Sequence, residues 1–250
     1  MRAARAAVTG FRALLASALL VLLAWPATAA AQDTRCAPSG GQQPAHLVLV
    51  ADLAEVPEAA RTDRLQETAR VVGRRLEALG VPAPLVQVAG PDRLRVALPG
   101  EWSPDELASL LTTPARLEFR QQIQAPDGTS QWVAVRATGD DGSEQALTGG
   151  YFERVELVLL PDNQPPVVTF QFNREGTRMF AAVTARLVGQ RLGVFMDNQL
   201  LVAPIVREPV RQGNGAIQGR FTVEQARRLA ILLSTGALPV PMRVLEGASP

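Results

Sequence analysis

Two apolar runs that meet at Asp197-Asn198 limit the fold more than any other part of this chain; they form GVFMDNQLLVAPIV, Gly193 to Val206. Asp and Asn tolerate the positive φ that a two-residue primed turn demands, and such turns join neighbouring antiparallel strands. On each side alternate residues can face a core, so the stretch is expected to be a central β-hairpin. Helical periodicity brackets it, from Glu175 to Val188 and from Val223 to Ser234. A hairpin covered by two helices is an α+β layer, with this hairpin in its middle. Read this way, the stretch is core and carries no chemistry.

Charge and rare residues narrow the chemistry elsewhere. All 25 basic residues are arginine. Without lysine there is no P-loop lysine, no Schiff base and no serine–lysine dyad. One histidine, His46, and one cysteine, Cys36, cannot form a histidine-rich zinc site or a CxxC pair within one chain. A serine or cysteine triad would have to use His46, at the start of an expected strand. Carboxylate-only chemistry, with Asp52, Asp197 and Glu224 as candidates, or no chemistry at all, is what remains. The net charge of +1 gives no electrostatic reason to expect nucleic acid.

At the amino terminus Arg2, Arg5 and Arg12 precede an uncharged run, Ala13 to Ala31, broken by Pro26 and ending in small residues. That is the pattern of a secretory signal peptide over 1–31, cleaved near Ala29 to Ala31. The rival is an uncleaved anchor at residues 10–31, since a spanning helix needs roughly 20 apolar residues. Either way the rest is expected across the cytoplasmic membrane, periplasmic or extracytoplasmic, with the membrane a neighbour only by proximity once the signal is cut. Cleavage would remove three arginines and no acid, turning +1 into −2. A flexible leader, 32–45, follows. Its Cys36 lacks the small and leucine residues of a lipoprotein site.

From His46 the pattern becomes that of a folded unit. HLVLVADL reads as a strand. Leu65, Ala69, Val72, Leu76 and Leu79 share one helical face, with Arg64, Glu67, Arg70 and Arg74 mostly outward. Gly80 and Pro82 stop that helix. Leu85 to Val88 and Leu94 to Leu98 are short strands, Ser103 and Glu106 a capping box, and Arg116 to Gln121 a last strand. This β-α-β-β-α-β order over 46–122 is the ferredoxin-like, split-βαβ arrangement. A second unit, 123–246, begins with a polar stretch, Gln124 to Gln145, that reads as a solvated loop. Its acids Asp140, Asp141 and Glu144 lack the spacing of a calcium loop, so no metal is expected. Strands at Arg154 to Leu160 and Val167 to Phe172 lead to a helix capped by Asn173 and carrying Met179, Phe180, Val183 and Leu187. After the hairpin come a strand, Ala216 to Phe221, a capping box of Thr222 with Gln225, and a helix ending at Gly236.

RRLEALGVPAP (Arg74 to Pro84), DRLRVALPG (Asp92 to Gly100) and PARLEFR (Pro114 to Arg120) resemble, in order and spacing, the first periplasmic domain of the SecD family. So do FNREGTRMFAAVT (Phe172 to Thr184), VFMDNQLLVAPIV (Val194 to Val206), IQGRFTVEQARRLA (Ile217 to Ala230) and STGALPVPMRV (Ser234 to Val244). SecD is the membrane component that assists the bacterial Sec translocase. The resemblance covers about residues 46 to 246. It implies an α+β protein with a ferredoxin-like base, 46–122, and an α+β head, 123–246, that includes the last strand. In that family membrane helices implicated in using the proton gradient follow the Gly-Ala-Leu-Pro strand. Here no stretch after residue 31 has 18 consecutive apolar residues, so no later spanning helix and no proton-coupled engine of its own are expected.

The leading expectation is a non-enzymatic module for protein transport. It would touch translocating or unfolded polypeptide through exposed sheet edges or the groove between subdomains, with the Sec translocase or other envelope proteins as further partners. Hinges are expected around Gln121 to Gln124 and near Ala237 to Pro241. A second class is an envelope structural or ligand-binding protein that kept the fold. A third is an acid–base hydrolase using Asp52, Asp197 or Glu224. No catalytic, cofactor-binding or metal-ligating residue is singled out, and no surface is assigned to polypeptide. If Asp197 serves only its turn, Asp197→Asn should cost little.

Overall fold

A computed structural model describes residues 45–99, 102–162 and 164–245; the expected signal segment and Cys36 lie outside the described residues. The base opens with β1 (Ala45–Ala51), α1 (Glu58–Leu79), β2 (Leu85–Val88), β3 (Arg93–Leu98) and α2 (Pro104–Thr112). Helix α1 begins well before the apolar face, just after Pro57, and ends where Gly80 takes φ 95°. That left-handed cap lets the amide of Gly80 reach Glu77 O and that of Val81 reach Leu76 O. Leu65, Val72 and Leu76 are buried against the sheet with Leu49, Leu94 and Val96.

The expected six-element order of the base is present along the chain, but its sixth element does not complete the sheet. The base sheet runs β13-β1-β3-β2, antiparallel throughout, and β13 is Met242–Val244. The strand expected at Arg116 to Gln121 is β4 (Leu117–Gln124), and it lies in the head between β10 (Leu192–Met196) and β5 (Ser130–Ala134). Packing explains the exchange. Leu117 and Phe119 belong to the head core, whereas Met242 belongs to the base core. Alternation shows that a strand has a core face, not which of two cores that face meets. Gln121 to Gln124, expected to be a hinge, is paired with Ser130 to Val133 of β5.

The head sheet is β11-β10-β4-β5, with β11 at Gln199–Val202. A second sheet has the order β12-β9-β8, with β8 at Phe152–Val158, β9 at Val167–Phe172 and β12 at Asn214–Gln218. A small hairpin pairs β6 (Arg136–Thr138) with β7 (Glu144–Ala146). The polar stretch Gln124 to Gln145 is thus not a single solvated loop. Asp127-Gly128 makes its first turn, with Gly128 at φ 81°, and β5 then continues the sheet beside β4. Five phenylalanines, Phe119, Phe152, Phe170, Phe172 and Phe180, form the heart of this core with ring centroids 4.8–6.4 Å apart.

Helix α3 (Arg174–Arg186) starts where Asn173 Oδ1 accepts from Gly176 N at 2.9 Å, and α4 (Val223–Thr235) starts with a complete capping box of Thr222 and Gln225. At α2 only the Ser103 arm of the expected box forms, at a long 3.5 Å. The 193–206 hairpin turns as expected, with Asp197 at φ 50° and Asn198 at φ 67°. Only its first strand is central, however. β10 is buried, whereas β11 is the edge of the sheet and leaves Leu200 49% exposed.

Candidate functional site

The chain crosses from base to head at Thr113–Arg116 and back at Gly236–Pro241, and these two crossings are fastened to each other. Leu238 N donates to Pro114 O at 2.9 Å. Helix α4 lies beside them with two working faces. Ala226, Leu229 and Leu233 enter the head core, while Ile231 and Leu232 join Leu110 and Ala115 in a separate cluster that also meets Leu79 of α1.

Arg75, in the next-to-last turn of α1, is fully buried at this crossing. Its Nη1 donates to Leu110 O at 2.8 Å and Thr113 O at 2.7 Å, and its Nη2 to Gly236 O at 3.1 Å. Those carbonyls belong to the ends of α2 and α4, where helices leave acceptors without intrahelical partners. One guanidinium therefore caps two helix C-termini, a placement the helix dipoles favour. Burial pulls its pKa down to about 10, and the nearby Asp197 carboxylate pulls the other way. Nε has no hydrogen-bond partner among the described residues. Two further arginines brace the same ends: Arg74 Nη2 donates to Thr235 O at 3.0 Å, and Arg228 Nη2 to Ser109 O at 3.0 Å.

Asp197 holds the outward crossing. Its Oδ2 accepts from Ala115 N at 3.0 Å, its Oδ1 accepts from Arg116 N at 2.9 Å, and its own amide donates to Arg116 O at 3.0 Å. Ala115 sits at φ 59°, a conformation that costs an alanine about 1–2 kcal/mol and so needs such restraint. These contacts argue against the expectation that Asp197→Asn costs little. An asparagine keeps one acceptor and sets its NH₂ against an amide that needs one.

Between α2 and α4, beside this knot, runs a groove of about 540 Å³. Leu79, Leu110 and Ile231 form its floor, and Glu106, Glu224 and Arg227 its rim. It lies between base and head, with an apolar floor and both signs of charge along the edges. The acids expected to be candidates for catalysis go to separate duties. Asp52 Oδ1 accepts from Ala54 N in the turn after β1, Asp197 fixes the crossing, and Glu224 lies on the groove rim. In the acidic stretch, Asp140 pairs with Arg178 and its amide donates to Glu175. Asp141 Oδ1 accepts from the amide and hydroxyl of Ser143 and from Gln145, and the Ser143 contacts hold its pKa below the usual carboxylate value.

Sequence reading missed Arg75. The available signal was its position: three residues after Val72, on the face that buries Leu65, Thr68 and Leu76. An arginine among core positions invites a search for acceptors, and here they come from residues 35 to 161 positions away.

Known proteins resemble this chain in sequence and in fold. The family described as "SecDF, P1 head subdomain" matches residues 122–240, and "Protein translocase subunit SecDF, P1 domain, N-terminal" matches residues 65–124. The protein translocase subunit SecD of Dictyoglomus turgidum is 32% identical over 184 residues, 74% of this chain and 41% of its own length. That of Acidaminococcus fermentans is 34% identical over 202 residues, 80% of this chain and 43% of its own. This chain thus spans less than half the length of these relatives. A solved SecDF structure, described as a membrane component that enhances protein export, is similar with a TM-score of 0.65 at 29% identity, over 80% of this chain and 98% of that one. No helix among the described residues is long and apolar enough to cross a membrane.

Proposed function

This chain belongs to the SecD family of protein translocase subunits, and on that footing we propose that it assists protein export by transient contact with translocating polypeptide outside the cytoplasm. The observation that carries this reading is the groove between α2 and α4. An unfolded segment offers scattered apolar side chains and both signs of charge. The floor of Leu79, Leu110 and Ile231 suits the first, and the Glu106, Glu224 and Arg227 rim the second. Weak, sequence-tolerant contact is what such a surface provides, because it has few anchoring pockets and no buried charge waiting for a partner.

The proposed action is binding, not catalysis. In its favour, the Asp197 carboxylate is spent on two backbone amides and Asp52 on a turn. An extracytoplasmic setting is supported by the signal-like segment 1–31. Contact with the Sec translocase itself, or with other envelope proteins, belongs to the same proposal.

Fluorescence polarisation of a labelled, unfolded export substrate tests it. Leu79→Glu, at a half-buried floor position, should weaken binding about tenfold, equivalent to ~1.4 kcal/mol. Arg227→Ala on the exposed rim should weaken it less while leaving the melting temperature unchanged. Equal affinity for the wild type and both variants would remove the groove from the mechanism. Absence of any polypeptide affinity would favour an envelope protein that kept only the fold.

A further inference from the structure

Among the described residues, helices cover only one face of the base sheet. Leu49, Leu94, Val96 and Met242 point to α1 and α2. The register places Arg93, Arg95 and Arg243 together on the opposite face. Val50 pairs with Arg93 on one side and Arg243 on the other, and Val48 pairs with Arg95. Strand spacing puts Arg93 and Arg243 about 10 Å apart, and Arg95 about 7 Å further along β3. All three are exposed, yet Val50 between them is only 5% exposed, as expected where long aliphatic stems lie across a small residue.

Few carboxylates answer these guanidiniums. Asp92 lies 3.5 Å from Arg93 Nε, and Asp52 caps its own turn at the same end of the sheet. Arg95 and Arg243 have no ion-pair partner among the described residues. The concentration of charge is local, since the chain beyond residue 31 carries a net −2.

We propose that this uncovered face docks on the anionic phosphate headgroups of a phospholipid bilayer. Guanidinium forks match phosphate oxygens two at a time, and a sheet presents three of them to a plane at once. The chain's own order adds a reason. Strand β1, at the centre of this face, begins 14 residues after the apolar run that ends at Ala31. Fully extended, that leader spans at most about 50 Å. While the run occupies a bilayer, the arginine face is held close to it at high effective concentration. Docking in this way leaves the α2–α4 groove free, because α1 and α2 cover the other side of the base sheet and α4 packs beyond them on α1 and the head.

Flotation of the exported protein with vesicles of phosphatidylcholine, alone or mixed with phosphatidylglycerol, tests the proposal. Binding should require phosphatidylglycerol and weaken as salt rises. Each of Arg93→Ala, Arg95→Ala and Arg243→Ala should lower partitioning about fivefold, and the triple variant about a hundredfold. Their melting temperatures should stay near that of the wild type. If the amino-terminal segment holds the chain on every vesicle, an environment-sensitive label at Gln87→Cys in a Cys36→Ser background supplies the same comparison, since Gln87 pairs with Arg95. Equal binding to both vesicle types, or a triple variant that binds like wild type, overturns the proposal. Arginine-dependent binding to soluble polyglutamate, without binding to vesicles, also overturns it in favour of an acidic polypeptide.

Discussion

Replacing Arg75 by methionine is the sharpest test of how base and head are joined. Methionine fills much of the same volume but donates no hydrogen bond. Three bonds from a charged donor, at about 1.5–3 kcal/mol each, sum to roughly 4–9 kcal/mol. Against this stands the cost of keeping a charge in apolar surroundings. The fall of the guanidinium pKa to about 10 places that cost at roughly 3 kcal/mol. The net loss for Arg75→Met is then about 3 kcal/mol, within a span of about 1–6. With a urea slope of about 2 kcal/mol per molar, the midpoint should fall by about 1.5 M. The damage should be local as well. Amide exchange should accelerate at Ala115, Arg116 and Leu238, which fasten the crossings, before it does in β9 of the head core. Arg75→Lys, a point donor without the fork, should fall between the two. Buried ionic groups can be replaced by apolar ones without loss. A methionine variant as stable as the wild type would show that the guanidinium is tolerated at the crossing and does not hold it.

Three further outcomes are expected at other positions. Asp197→Asn should cost about 2 kcal/mol by denaturant midpoint, since one amide of the Ala115–Arg116 pair loses its acceptor; a loss below about 0.5 kcal/mol would mean the carboxylate serves only its turn. Asn198→Pro should cost roughly 3 kcal/mol or more, because φ at Asn198 is 67° and proline holds a negative φ; a stable variant would remove the primed turn. Asp141 is held below the usual carboxylate pKa by Ser143, so near pH 4 the folded state binds fewer protons than the unfolded one, and stability drops as pH falls further. Melting curves between about pH 5 and pH 3 should therefore be flatter for Asp141→Asn than for wild type; parallel curves would assign that acid sensitivity to other groups.

How much of this was legible in the sequence depends on the range of each interaction. The Asp197-Asn198 turn, the Asn173 and Thr222 caps and the Gly80 stop are local. Each depends on a residue's own φ or on a partner three positions away, so pattern reading placed them correctly. The exchange of β4 for β13 in the base sheet was not legible. Leu117 and Phe119 alternate in the same way whether they face the base or the head, and only the phenylalanine cluster decides. Arg75 escaped because helical periodicity treats a charged residue as outward, and its acceptors are carbonyls at the ends of two other helices. The groove draws on residues 79, 106, 110 and 224–231, which no single stretch of sequence brings together.

Site-specific photo-crosslinking in living cells, from probes at Gln225 and Arg227 on the groove rim and at Asp127 in the β4–β5 turn, tests the proposed function most directly. Groove contact with polypeptide predicts adducts to chains in export at Gln225 and Arg227, lost when export is blocked, and few at Asp127. Adducts concentrated at Asp127, or none to exported chains from either rim position, would contradict it.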